Sequence, residues 1–202
     1  MENFKEIKQE ILDRAKNVDA CNGEYKRAYK AENYEELLKV VTDNFNFCCN
    51  NKIIDCELLS RIGESICNEN NLFYNVSTDK GFLLADSATV RASGSATVEA
   101  WGSATVEAWG SATVRASGSA TVEAWGSATV EASGSATVRA SGSATVEAWG
   151  SATVEAWGSA YINSYNSIEH KISEKVILRY YYENRVVLAD VESLKPLHNS
   201  KS

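Results

Sequence analysis

The sequence predicts a mainly β protein: a parallel β-solenoid of octapeptide repeats, with an α-helical segment before it and a β-hairpin cap after it. Three observations carry this. Residues 87–158 are nine consecutive octads that keep Ser, Ala, Thr, Val, Ala and Gly in place and vary only at the fifth and seventh positions. Within each octad apolar and polar residues alternate, the period of a strand with one buried face. The flanks are unlike the repeat: helical spacing before it, Tyr-, Ile- and Val-rich runs after it.

In the first octad Ala88, Val90 and Ala92 alternate with Ser87, Thr89, Arg91 and Ser93. Eight is even, so the same parity runs through all nine octads, and the glycines at 94, 102, 110 and onward fall on the inward parity. A glycine there turns the corner with no side chain in the way. Every-second-residue apolarity makes no helical stripe, and a Gly-Ser pair in each octad opposes a helix. One octad cannot bury its own Ala-Val-Ala face, but stacked octads can.

A coil could hold two octads or three. The fifth positions read Arg91, Glu99, Glu107, Arg115, Glu123, Glu131, Arg139, Glu147, Glu155. Three octads per coil would stack arginine on arginine and glutamate on glutamate about 4.8 Å apart, although it would also align Trp101, Trp125 and Trp149. Two octads per coil pairs Arg91 with Glu107, Glu123 with Arg139, Arg139 with Glu155, Glu99 with Arg115 and Arg115 with Glu131, leaving two like pairs. Two is favoured.

Phe82 and Leu84 are expected to replace Val and Ala upstream of the repeat. Ala160, Ile162, Ser164, Ile168, His170 and Ile172 continue its parity downstream. Residues 175–182 and 186–190 read as two strands around a turn, closing the open end of the solenoid. Before the repeat, Phe4, Ile7, Ile11, Ala15 and Val18 share one helical face. Asn33 with Glu36 resembles a capping box, Asp55 can cap a further helix, and a short helix fits Glu24–Tyr29. These three or four helices could form a small bundle or lie over the first coil. The resulting organisation is 1–78 helical, 79–172 solenoid, 173–194 hairpin cap and 195–202 tail.

Composition narrows the function. The chain has 202 residues and a net charge of −7, and no apolar run reaches the ~18 residues of a membrane span. Acidic balance disfavours nucleic acid. Met1–Lys5 is too charged for a secretion signal, and five cysteines, an odd number, suit a reducing cytoplasm. Cys21, Cys48, Cys49, Cys56 and Cys67 contain no Cys-x-x-Cys pair, so buried helix positions are expected, with no metal and no cofactor. A nucleophilic cysteine would need a base, and His170 belongs to the far end of the rod. Regular Ser/Thr rows suit ice binding only on flat faces, which Trp, Glu and Arg interrupt. No phosphate loop or catalytic constellation is visible, and near-identical strands offer no unique one.

The octads Ser-Ala-Thr-Val-Glu-Ala-Trp-Gly and Ser-Ala-Thr-Val-Arg-Ala-Ser-Gly resemble octapeptide-repeat proteins encoded in bacterial and phage genomes. That resemblance implies a β-solenoid and allows a mobile-element origin, and it implies no activity. The expected function is therefore a non-enzymatic interaction or scaffold module with a protein partner. Its expected face is Trp101, Trp109, Trp125, Trp149 and Trp157 with Arg91, Arg115 and Arg139, all on the outward parity. The alternatives are a phage or mobile-element inhibitor of a bacterial defence protein, and a homo-oligomer assembled end to end.

Overall fold

The computed structural model of the protein describes residues 4–189. The chain opens with α1 (Phe4–Asn17), α2 (Asn22–Lys30), α3 (Tyr34–Asp43), α4 (Phe45–Asn50), α5 (Cys56–Ile62) and α6 (Glu64–Glu69). Both expected caps form. Asn33 accepts from the Glu36 N–H at 2.9 Å, and Asp55 accepts from the Leu58 N–H at 2.7 Å. Glu36 reaches back to the Glu32 N–H at 2.8 Å, one residue before the cap itself.

The helices are shorter and more numerous than the apolar spacing predicts. At Asn44 the side-chain amide donates to the Val40 carbonyl at 2.9 Å, taking a helical acceptor, and the chain turns into α4. Gly63, at φ +105°, separates α5 from α6. Salt bridges from Arg14 to Asp55 (2.7 Å) and from Arg61 to Glu10 (2.8 Å) tie α1 to α5.

The strands are β1 (Leu72–Tyr74), β2 (Phe82–Asp86), β3 (Thr89–Ala92), β4 (Thr97–Trp101), β5 (Thr105–Ala108), β6 (Thr113–Ala116), β7 (Thr121–Ala124) and β8 (Thr129–Ala132). They continue as β9 (Thr137–Ala140), β10 (Thr145–Ala148), β11 (Thr153–Ala156), β12 (Tyr161–Ser164), β13 (Lys171–Ile172), β14 (Ile177–Tyr180) and β15 (Arg185–Leu188). One sheet runs β1-β2-β4-β6-β8-β10-β12-β14-β15 and the other β13-β11-β9-β7-β5-β3. Successive octads alternate between the two sheets, so a coil is two octads. Thr113 lies beside Thr97 and Thr121 beside Thr105. Between the sheets lie the inward Ala and Val side chains, essentially all of them inaccessible to solvent.

This register produces the expected charge ladder. Arg91–Glu107 and Arg115–Glu131 close at 2.8 Å. Arg139 lies 3.7 Å from Glu123 and 3.5 Å from Glu155, and Arg115 lies 3.8 Å from Glu99. The like pairs Glu107–Glu123 and Glu131–Glu147 are also in register.

At most corners the residue after Gly-Ser donates back to the seventh residue, as Ala104 does to Trp101 at 3.0 Å. Only the glycine has positive φ, the pattern of a type II′ turn. The glycines stack on one another: a Cβ added at Gly134 would lie 3.0 Å from the Gly118 nitrogen and oxygen. The corner backbones bond from coil to coil, Ser135 N–H to the Gly118 carbonyl at 2.8 Å.

The expected placement of Phe82 and Leu84 is corrected by one residue. Leu83 and Ala85 align with Val98 and Ala100 and enter the rod core. Phe82 and Leu84 point outward and pack with the helices, the Phe82 ring 5.0 Å from Phe45. Both faces of β2 are therefore apolar, which removes the alternation that reveals parity. The first coil is also one residue shorter than the rest, and Ser87 takes the left-handed corner at φ +58°. The helices thus lie over the outer side of the first coils, while β1 already pairs with β2.

At the other end β13 pairs with β11 and β14 with β12, so parallel winding continues to Tyr180 before β15 turns back antiparallel as the hairpin cap. His170 stands where the repeat has Val. Its Nδ1 accepts from the Val154 N–H at 3.2 Å, and Nε2 lies 2.9 Å from Ser164 Oγ. The tail 195–202 lies outside the described residues.

Stacked corners predict a sharp glycine dependence. Gly134→Ala should lower stability by about 2 kcal/mol, combining left-handed strain with the close backbone. Ser135→Ala, at an exposed corner position, should change it by less than ~0.5 kcal/mol. Urea denaturation of the two variants checks the contrast.

Candidate binding face

The seventh position of each octad follows its strand at a corner, so its side chains stack along two separate edges of the rod. One edge carries Ser93, Trp109, Trp125, Ser141 and Trp157, and the other Trp101, Ser117, Ser133 and Trp149. The second column continues beyond the repeat as Tyr165 and Tyr181, each 16 residues further on. The five tryptophans therefore do not form one row.

On the first edge the Trp109 and Trp125 rings are 4.2 Å apart. Ser141, between Trp125 and Trp157 in this column, is only 8% exposed. On the second edge Trp149 stacks on Tyr165 at 3.6 Å and 5° between planes, and Tyr165 meets Tyr181 at 5.0 Å. The Arg179 guanidinium lies 5.0 Å over the Tyr181 ring. Trp109 and Trp149 are 45% and 38% exposed.

Trp101 belongs to a different environment. It is 8% exposed and joins the helical core, with Lys52 Nζ 3.4 Å from its ring centroid. Its outward parity is correct, but the helices cover it, so it is not part of the solvent-facing set. Arg91, Arg115 and Arg139 lie in the charge ladders described above, with Arg91 the most exposed of the three.

Beside Trp101 the helices also bury Glu99, which is 2% exposed. Desolvation pushes its carboxyl up to about 7. Arg115 opposes that rise and Glu131 adds to it. The Asn46 amide, with its nitrogen turned to Glu99, donates to Oε1 at 2.9 Å and accepts from Arg115 through its oxygen. Cys49 faces the same carboxylate, which adds to the upward shift of that thiol.

Between Trp101 and Trp149 two successive rungs carry serine. A cavity of about 400 Å³ opens there, bounded by Ser117, Ser133, the Trp149 indole, Arg115, Glu131, Glu99 and Asn50 from α4. Sequence reasoning missed Asn46, Asn50 and Lys52, because nothing local shows which helix end meets the rod. It also missed Tyr165 and Tyr181, although the 16-residue steps from Trp149 to Tyr165 and on to Tyr181 are readable once the coil length is chosen.

The remaining reactive groups have structural surroundings. Cys48, Cys49 and Cys67 are buried in the helices, Cys56 is half-buried and Cys21 is exposed. Burial pushes the Cys48 and Cys67 thiols up to about 12 and Cys56 to about 11, away from the reactive thiolate. Among the described residues no three His, Cys, Asp or Glu side chains group as metal ligands, and no helix is long and apolar enough to cross a membrane. Burial also lowers His170, keeping its ring neutral for the two hydrogen bonds it makes. Comparison with known proteins finds no matching family model, curated protein or solved structure.

Glu99 makes stability depend on pH in a defined direction. Its folded value, about 7, exceeds the ordinary 4.5, so the folded chain holds the proton more tightly. The resulting stabilisation is complete below pH 4.5 and is lost as pH rises through 7. The total is on the order of 3 kcal/mol. Glu99→Gln should remove this fall. Urea denaturation of both proteins at pH 5 and pH 8.5 isolates Glu99 by difference, since His170 is common to the two.

Proposed function

We propose that the protein is a non-enzymatic interaction module in which a rigid solenoid rod presents aromatic edges to a protein partner. One observation carries the reading. Variation within the repeat is confined to the outward fifth and seventh positions, where it builds the exposed Trp109–Trp125 and Trp149–Tyr165–Tyr181 ladders. Tyr and Trp combine large contact area with little side-chain entropy to lose, which suits them to the centres of interfaces. The closed Ala/Val interior contributes rigidity and no cleft. The raised thiols and the hydrogen-bonded His170 favour structural roles over catalytic ones. A place among the octapeptide-repeat proteins of bacterial and phage genomes, and inhibition of a bacterial protein, remain proposals that rest on the octads alone.

End-to-end self-assembly has its own supporting observation. The β15 end of the larger sheet exposes Val186 and Leu188, with Ile177 exposed on the neighbouring strand. Apolar residues on a terminal strand favour pairing with another chain.

Serine is the repeat's own alternative to tryptophan, so Trp→Ser at the seventh position tests recognition with little damage to the fold. Trp109→Ser, Trp125→Ser, Trp149→Ser and Trp157→Ser together should abolish capture of a bacterial-lysate partner that the unaltered chain retains. The urea midpoint should move only slightly. A large fall in stability with partner capture unchanged would make the ladders scaffold instead. Concentration-dependent sedimentation tests self-assembly: Val186→Lys with Leu188→Lys should leave only monomer.

A further inference from the structure

The two missing rungs on the second edge differ from every other part of the aromatic columns. A ring is absent at Ser117 and again at Ser133, so Trp101 and Trp149 stand three coil spacings apart, about 14 Å. One indole face of Trp149 is covered by Tyr165, and the other looks across Ser133 into the cavity of about 400 Å³. At the single gap on the first edge Ser141 is buried, whereas the double gap at Ser117 and Ser133 lines a cavity.

The charges beside the open indole are uneven. Glu131 faces Glu147 in register, and like charges one strand spacing apart repel. Arg115 is held by Glu131 at 2.8 Å and leans toward Glu99 at 3.8 Å. Among the described residues no cation within salt-bridge distance serves Glu147. The other like pair, Glu107–Glu123, lies beside Trp109 and Trp125, whose rings already stack on each other. Only at Glu131–Glu147 does a like-charged pair adjoin an open aromatic face: Glu131 lines the cavity, and Glu147 lies beside it in register, two residues before Trp149.

We propose that this slot receives a guanidinium, the arginine side chain of a protein partner, stacked on the free face of Trp149 and bridging Glu131 and Glu147. A planar cation satisfies both requirements: its face takes the place of the missing ring and its edge donates to two carboxylates. A lysine ammonium is compact and strongly hydrated, and it offers no plane to stack. The inference rests on the interaction reading above and names the partner chemistry of one edge.

The repeat supplies the decisive variant. Ser133→Trp places at the gap the residue that the same octad position carries elsewhere, filling the slot while preserving the fold. The probes are an uncharged-end tripeptide Gly-Arg-Gly, its Gly-Lys-Gly counterpart, and ethylguanidinium, each titrated into the full chain. The readout is the indole N–H resonance that disappears in Trp149→Ser. The arginine peptide should shift that resonance saturably, and the lysine peptide should bind roughly fivefold more weakly or worse. Ser133→Trp, and Glu131→Gln with Glu147→Gln, should abolish the shift.

Ethylguanidinium should bind more weakly than the peptide. If it binds more tightly than the peptide, the site serves a free small cation and the protein source is overturned. Equal binding of the lysine peptide, or an unchanged shift in Ser133→Trp, overturns the slot. If no arginine probe binds while partner capture still depends on Trp149, the guanidinium assignment falls and the interaction reading stands.

Discussion

The whole molecule depends on the glycine corner. Its positive φ is what an eight-residue unit needs to run a short strand, reverse and begin the next, and an even unit length keeps the same side chains inside throughout. Two such corners close a coil of 16 residues. Within the repeat each strand residue is then stacked on the residue 16 positions away, and most of the observed chemistry follows from that self-stacking. Small apolar side chains meet to form a dry, narrow core. Glycines meet where any Cβ would strike backbone. Charges form ladders in which arginine interleaves with glutamate, and indoles meet indoles.

Self-stacking also locates the irregularities. The rod is uniform inside and patterned outside, so its singular features arise where a column is interrupted or where something foreign covers it. The helical segment does the covering. Glu99 and Glu131 occupy the same octad position, yet one is nearly inaccessible and holds its proton up to about 7, while the other is 41% exposed and holds Arg115. Lys52 over Trp101 and Phe45 against Phe82 belong to the same junction. The far end is finished differently, with a buried hydrogen-bonded His170–Ser164 pair, a chain reversal into β15 and a tyrosine extension of the aromatic column.

These features divide the labour between rigidity and recognition. A core of one repeated composition holds the edges straight, so the spacing along each edge is set by the coil and not by loop geometry. Recognition can then be written into two positions per octad without disturbing the interior, and replacement of Trp by Ser at the seventh position creates a gap of defined width. Where one ring is missing, at Ser141, the serine is buried; where two are missing a slot remains, lined by Glu131, whose neighbour in register is Glu147.

Much of this was legible in the sequence because a repeat multiplies weak local signals. Nine copies of one alternation determine parity, the order of Arg and Glu at the fifth position favours two octads per coil, and Asn33 and Asp55 mark two helix starts through short-range capping. The sequence by itself therefore determined the rod, its core and its charge ladders. Tertiary structure decided what covers the rod. The parity of Phe82 and Leu84 was hidden because β2 is apolar on both faces, and the loss of Trp101 from the solvent-facing set came from helices that no local pattern docks. The buried state of Glu99 was equally beyond reach, since its octad is indistinguishable from its exposed siblings and only a long-range contact changes its surroundings. Alternation is a local property and survives in the chain as written, whereas burial by a second element depends on residues some 50 positions away, Asn46 and Lys52 against Glu99 and Trp101.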